Sequence, residues 1–211
     1  MKKDRYGLVL DKYATHVKIL KLLGPNPGKV LDAGCASGYL GSYYRRLGAD
    51  YLVGLELDRI AARKAKRHFN KVFVIDLNRL REIKSLPLKR QSFDTLVCAN
   101  ILEHLVDPLA TLKELAKYLR PNGQLIASLP NVTFFMERFK ILLGKFDYDS
   151  QGGIMDNTHL KFFNRQTAIE LVKNAGFEIL EVDHARLGKL GWFPWFPNFF
   201  GTETIIKARK I

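Results

Sequence analysis

The chain has 211 residues, of which 47% are hydrophobic, an ordinary share for a globular core, and its length favours one domain over residues 1–211. Thirty-four Lys and Arg against 21 Asp and Glu leave a net charge of +13, which points to an anionic partner or surface. The charged opening MKKDRYGLVLDKY has no signal-type apolar region, and no run of about 20 apolar residues occurs, so neither export nor a transmembrane helix is expected and the location read is cytoplasmic. Cys35 and Cys98 lack metal-ligand spacing and fit reduced thiols.

Apolar residues at 13, 17, 20 and 23 predict a helix over 13–23, stopped by Gly24-Pro25-Asn26-Pro27-Gly28. Strands and helices then alternate. A strand over Lys29–Ala33 enters a glycine-rich turn, followed by a helix over 39–47. A second strand, Tyr51–Glu56, precedes a helix over 58–69 with Asp58 as its cap, and a third strand spans 72–75. The apolar run 94–99 suits a strand covered on both faces. Asp107 and Pro108 open a helix with apolar residues at 109, 112, 115 and 119, closed before Pro121-Asn122-Gly123. A fifth strand follows at 124–128. A helix over 164–175 is capped by Asn164 and closed by Gly176, and two last strands lie at 177–182 and 202–208. The alternation predicts an α/β protein whose mostly parallel sheet carries helices on both faces. An insertion at about 131–163 and the stretch 186–201 interrupt the rhythm, and such interruptions commonly carry specificity.

In an open parallel sheet, ligands bind beyond the carboxyl ends of the strands. That rim is expected to hold Asp32, Glu56, Asp76, Asn100 and Pro130-Asn131. Gly34, Ala36 and Gly38 form a tight turn that admits a ligand close to the backbone. Glu56, about 20 residues past the first glycine, suits a ribose diol. Neither G-x-G-x-x-G nor G-x-x-x-x-G-K-[ST] is present, which argues against a dinucleotide or a phosphate loop.

The segment VLDAGCASGYLG (30–41) resembles motif I of class I S-adenosylmethionine (SAM) methyltransferases, D-x-G-x-G-x-G, with alanine at the middle glycine. FDTLVCANILEHLVDP (93–108) resembles their F-D-x-V-x-x-x-x-V-L-E-H-L-x-D-P, and LRPNGQLIASLPN (119–131) resembles their lead into strand five. Further on, LPNV and DNTHLKFFN resemble the methyltransferases associated with surface-glycan biosynthesis and, less closely, coenzyme Q O-methyltransferases. The resemblance implies a Rossmann-like seven-stranded sheet whose last strand is antiparallel and lies beside strand five. It implies SAM as cofactor and S-adenosylhomocysteine as product. Asp32, Gly34, Ala36 and Gly38 would form the cofactor turn. Glu56 would take the ribose hydroxyls, Asp76 the adenine amino group, and Leu77 would pack on the base. Asn100 and the Gly34 backbone would hold the methionine end. His159, in Thr158-His159-Leu160, would remove a hydroxyl proton from a small-molecule or lipid-linked glycan acceptor.

Some relatives use E-x-x-E-H to hold a divalent metal. Here Asn100 stands at the first glutamate, and a neutral amide weakens hard-cation binding, so no metal is expected and Glu103-His104 are read as ordering the next helix. Eleven Lys or Arg between residues 59 and 90 read equally as a solvated face or as a functional patch. The stripe Phe135, Phe139, Leu142, Leu143 and Phe146 reads by default as core, with an acceptor lid or a membrane contact as alternatives. Trp192 to Pro197 form an aromatic loop segment for which core closure, acceptor binding and an anchor at an anionic membrane are all open readings. The rival functions are an RNA methyltransferase, motivated by the charge, and a non-catalytic SAM-binding partner subunit.

Overall fold

The computed structural model describes residues 14–149, 153–186 and 196–211. The elements in order are α1 (Thr15–Leu23), β1 (Lys29–Ala33), α2 (Tyr39–Arg46), β2 (Tyr51–Glu56), α3 (Arg59–Ala65), β3 (Lys71–Val74), α4 (Leu80–Lys84), β4 (Phe93–Ala99), a 3-10 turn (Leu102–His104), α5 (Pro108–Ala116), β5 (Leu119–Pro130), α6 (Phe135–Leu142), α7 (Arg165–Asn174), β6 (Phe177–Ala185), α8 (Pro197–Phe200) and β7 (Glu203–Lys210). They build a seven-stranded sheet in the order β3-β2-β1-β4-β5-β7-β6. β7 runs antiparallel to both of its neighbours, and the other pairs are parallel. This is the Rossmann-like sheet the alternation predicts, with the last strand inserted beside β5.

Successive strand residues point to opposite faces, and both faces are apolar because both are covered. Leu31, Val53, Leu96, Leu125 and Ile206 pack with Leu112 and Leu115 of α5 and Ala168 and Val172 of α7. Val30, Leu52, Val97, Ile126 and Ile205 pack on the other side with Ile19 and Leu22 of α1 and Leu40 and Tyr44 of α2.

The caps lie where the side chains place them. Asp58 accepts from the Ala61 N–H at 2.6 Å and Asp107 from the Ala110 N–H at 2.9 Å. Asn164 accepts from the Thr167 N–H at 2.9 Å while Thr167 accepts from the Asn164 N–H, a reciprocal box.

Three expectations are corrected. β5 begins at Leu119, not at 124, because Leu119 pairs with Phe93 and a shift in register absorbs Pro121-Asn122-Gly123. α5 accordingly ends at Ala116. The stripe on α6 is not core: this helix has no buried residue, and Phe139, Leu142, Leu143 and Phe146 are all exposed. A helical apolar stripe reports only that one face is apolar, not that protein covers it. The eleven basic residues between 59 and 90 are all exposed. Trp192, Phe193, Pro194 and Trp195 lie outside the described residues.

Asn164→Ala removes one half of the reciprocal cap and should lower stability by about 1 kcal/mol. Denaturant unfolding should show a lower midpoint with an unchanged slope.

Candidate active site

The turn after β1 is where the sequence motif meets the sheet. Gly34 N–H and Cys35 N–H both donate to the Leu55 carbonyl, at 2.8 and 3.0 Å, which folds the turn back over β2. Gly34 has φ +78°, and a Cβ there would meet the Ile101 side chain at 2.8 Å; at Gly38, φ +81°, it would meet the Ala65 backbone at 2.7 Å. These glycines therefore serve the packing of the turn on its neighbours as well as access for a ligand. Ala36 takes a left-handed conformation, φ +48°, at the motif's middle glycine.

Glu56 closes β2 half-buried. Its Oε2 accepts from the Ala36 N–H and its Oε1 from the Asp58 N–H, both at 2.8 Å. The carboxylate is thus held in place by the motif turn on one side and by the start of α3 on the other. Asp32 stands apart from the rim. It is buried inside β1, its Oδ2 accepts from the Tyr44 hydroxyl at 3.2 Å, and burial pushes its pKa up to about 7. Its place is beneath the turn.

Asp76 accepts from the Asn78 N–H at 2.9 Å and pairs with Arg79 at 3.2 Å, so its carboxylate organises the loop after β3. Leu77 points into the core at 6% exposure and does not offer a face to a base at the rim. The exposed apolar side chains near that loop include Leu57 and Val106, each 63% exposed, and Val74 at the end of β3, 50% exposed. Leu57 follows Glu56, whose carbonyl accepts from Ile75, and Val106 donates its N–H to Asn78 Oδ1 at 2.8 Å. Motif reading missed both; the available signal is an apolar residue directly after a strand-end carboxylate.

Asn100 follows β4 in a left-handed conformation, φ +49°. Its N–H donates to Ser128, its Oδ1 accepts from the Ser128 hydroxyl, and its side chain also bonds Glu203. With both ends of the amide engaged, the backbone of Asn100 is what it offers to a ligand.

The 3-10 turn and the end of the 131–163 insertion meet beside this rim. The Glu103 carbonyl accepts from Leu160 N–H at 2.8 Å and Lys161 N–H at 3.0 Å, and Val132 N–H donates to the Phe163 carbonyl at 2.9 Å. This clamp brings Glu103, His104 and His159 together, with one donor atom of each within 4.8 Å of the others. The two imidazoles pack edge-to-face at 4.8 Å. His159 Nδ1 lies 3.1 Å from the Ile154 carbonyl and His104 Nδ1 lies 3.2 Å from the Thr158 carbonyl. A carbonyl only accepts, so each Nδ1 is placed to donate, which turns each Nε2 toward the cluster. Burial, reinforced by His104, lowers the His159 pKa and keeps the ring neutral.

Glu103 is 1% exposed, and neither carboxylate oxygen has a hydrogen-bond partner; His159 Nε2 lies 4.0 Å from Oε1. Burial pushes its pKa well above the carboxylate range. These two residues do not order α5, which Asp107 caps. The sequence expectation of no metal rested on the amide at position 100; it did not count His159 as a third donor.

A profile of the methyltransferase-domain family matches residues 7–182. The chain belongs to this methyltransferase-domain family, and its fold is the one solved SAM-dependent methyltransferases share. It is 29% identical over 156 residues to the ubiquinone biosynthesis O-methyltransferase of Xanthomonas euvesicatoria pv. vesicatoria (strain 85-10), covering 73% of this chain and 64% of the relative. It is 30% identical over 105 residues to the protein of that name from Neisseria meningitidis serogroup A, covering 49% of this chain and 44% of the relative. The chain thus spans less than two thirds of either relative. A SAM-dependent methyltransferase of Thermotoga maritima superposes with a TM-score of 0.68 at 20% identity, covering 94% of this chain and 89% of that one.

Removing the Glu56 carboxylate should weaken SAM binding about tenfold or more, since a charge-assisted hydrogen bond contributes about 1.5–3 kcal/mol. Titration calorimetry on Glu56→Ala and Glu56→Gln checks this. An affinity unchanged in both variants would remove Glu56 from the cofactor site.

Proposed function

We propose that the chain transfers a methyl group from SAM to a hydroxyl of a small-molecule acceptor. The observation that carries this reading is the position of the Glu103-His104-His159 cluster beside the rim that holds Glu56, Asp76 and Asn100. The rim supplies carboxylates suited to a sulfonium cofactor. The cluster supplies a neutral imidazole nitrogen where an acceptor proton must leave. The acceptor oxygen attacks the methyl carbon, the C–S bond breaks, and the electron pair stays on sulfur as S-adenosylhomocysteine forms. The released proton goes to His159 Nε2. Positioning and exclusion of water carry most of the rate, with one general base. The ubiquinone O-methyltransferase relatives support oxygen as the acceptor atom.

A second use of the same cluster is favoured by the buried Glu103 carboxylate, whose oxygens face no donor. A carboxylate beside two imidazoles fits a divalent cation. Glu103, His104 and His159 would hold it, and it would supply acidity to a bound hydroxyl. His159 would then be a ligand, not the base.

His159→Ala should lower the transfer rate on the order of 10²–10⁴-fold while leaving SAM affinity intact. His104→Ala and treatment with a chelator separate the two uses. Both abolish transfer if a cation serves, and both leave most of it if His159 acts alone. A His159→Ala rate within about threefold of wild type overturns both readings.

The acceptor class we favour is a lipid-linked glycan precursor at an anionic membrane face. From α6, exposed Phe139, Leu142 and Phe146 lead to Phe162, whose ring lies 6.5 Å from Phe146 and 6.5 Å from His159. An apolar path therefore reaches the cluster from the surface, and Arg138, Lys140 and Lys145 lie along it. No helix among the described residues is long and apolar enough to cross a membrane, so contact would be peripheral. Co-sedimentation with anionic vesicles should fall as salt rises, and Phe139→Glu with Leu142→Glu should reduce it further. Failure to sediment with anionic vesicles at low salt would return this face to the acceptor alone.

A further inference from the structure

Among the described residues, the buried side-chain oxygens and nitrogens without a hydrogen-bond partner are three carboxylate oxygens on two residues: both of Glu103 and Oε2 of Glu203. Glu203 opens β7, opposite Pro130 on one side and Ala185 on the other. It belongs to none of the motifs read from the sequence. Thr15 of α1 and Asn100 bond its carboxylate, and Asn100 is bonded in turn by Ser128. Asn100 therefore stands between Glu203 and the turn that carries Glu103. Glu203 lies outside the three-donor cluster and bonds Asn100, three residues before Glu103.

Glu103, with neither carboxylate oxygen bonded, and Glu203, with Oε2 unbonded, have no cation among their described partners. The charged form of a buried carboxylate is unfavourable without a cation beside it. The amide at position 100 contributes donors but no charge.

We propose that Glu203 is a positioning residue of the cation centre. From β7 it supplies the second negative charge for a divalent cation held by Glu103, His104 and His159, and through Asn100 it holds the turn after β4 in register with that cation. This rests on the cation reading above. Outer partners of metal ligands act in this way, by fixing orientation and by adding charge without a bond to the metal.

The test is Mn2+ binding to the full-length protein, followed by calorimetry, with SAM affinity measured on the same samples. Wild type should bind Mn2+. Glu203→Gln should weaken it about 10–100-fold, the range for outer-shell partners, while SAM affinity stays within about threefold and shows that the fold is retained. Glu203→Asp, which keeps the charge, should retain more of the Mn2+ affinity than Glu203→Gln. If wild type binds no Mn2+, the cation reading falls and this inference with it. If wild type and Glu203→Gln bind Mn2+ equally, the cation reading stands and Glu203 is only a structural brace for Asn100. If Glu203→Gln and Glu203→Asp both lose SAM and Mn2+ binding together, the effect is on folding and the inference is overturned.

Discussion

The acceptor half of this molecule depends on one reversal of chain direction. β7 enters the sheet antiparallel between β5 and β6, so its first residues stand where the other strands end. A parallel strand in that slot would bring Lys210 to the rim; the antiparallel one brings Glu203. The turn before β7 is fastened to the start of the insertion. Asn131 donates its side-chain amide to the Asn198 and Gly201 carbonyls at 3.0 and 2.8 Å, and its N–H to the Thr202 carbonyl at 2.9 Å. From there the chain runs to α6 and returns to pair with the 3-10 turn. The half of the rim built by β1, β2 and β3 is largely local in sequence and owes nothing to this arrangement.

That division explains what could be read beforehand. The turn after β1, Glu56 at the end of β2 and the Asp107 and Asn164 caps are short-range features, and each lies where its side-chain chemistry places it. The sheet order followed from alternation and from the resemblance to known methyltransferases. Side-chain direction was harder to see. Leu77 and Leu57 both sit near a rim carboxylate just past a strand end, yet one points into the core and the other out, which the path of each loop decides. The stripe on α6 has the spacing of a core helix and none of the burial. His104 and Thr158 touch across 54 positions of sequence, so the three-donor cluster was visible only as its separate parts. Glu203 carried no motif at all.

The site is also where the fold departs from the rule that buried polar groups are paired. Elsewhere among the described residues the buried polar side chains are matched: Thr95 with the Pro27 carbonyl, Thr111 with Leu77, Tyr118 with Ile83. The exceptions are both oxygens of Glu103 and one of Glu203.

The two amides that meet the Glu103 carbonyl have a kinetic consequence. Leu160 and Lys161 reach it only after the chain has traversed α5, β5 and α6. Closing so long a span costs entropy that local pairing does not recover. β1 and β4 pair across a span at least as long, Val30 with Thr95, but their contact lies in the middle of the sheet, whereas the Leu160 and Lys161 amides are held at its rim. The amide protons of Leu160 and Lys161 should therefore exchange with solvent through local opening while those of β4 remain protected, so this rim can loosen and re-form without the sheet coming apart.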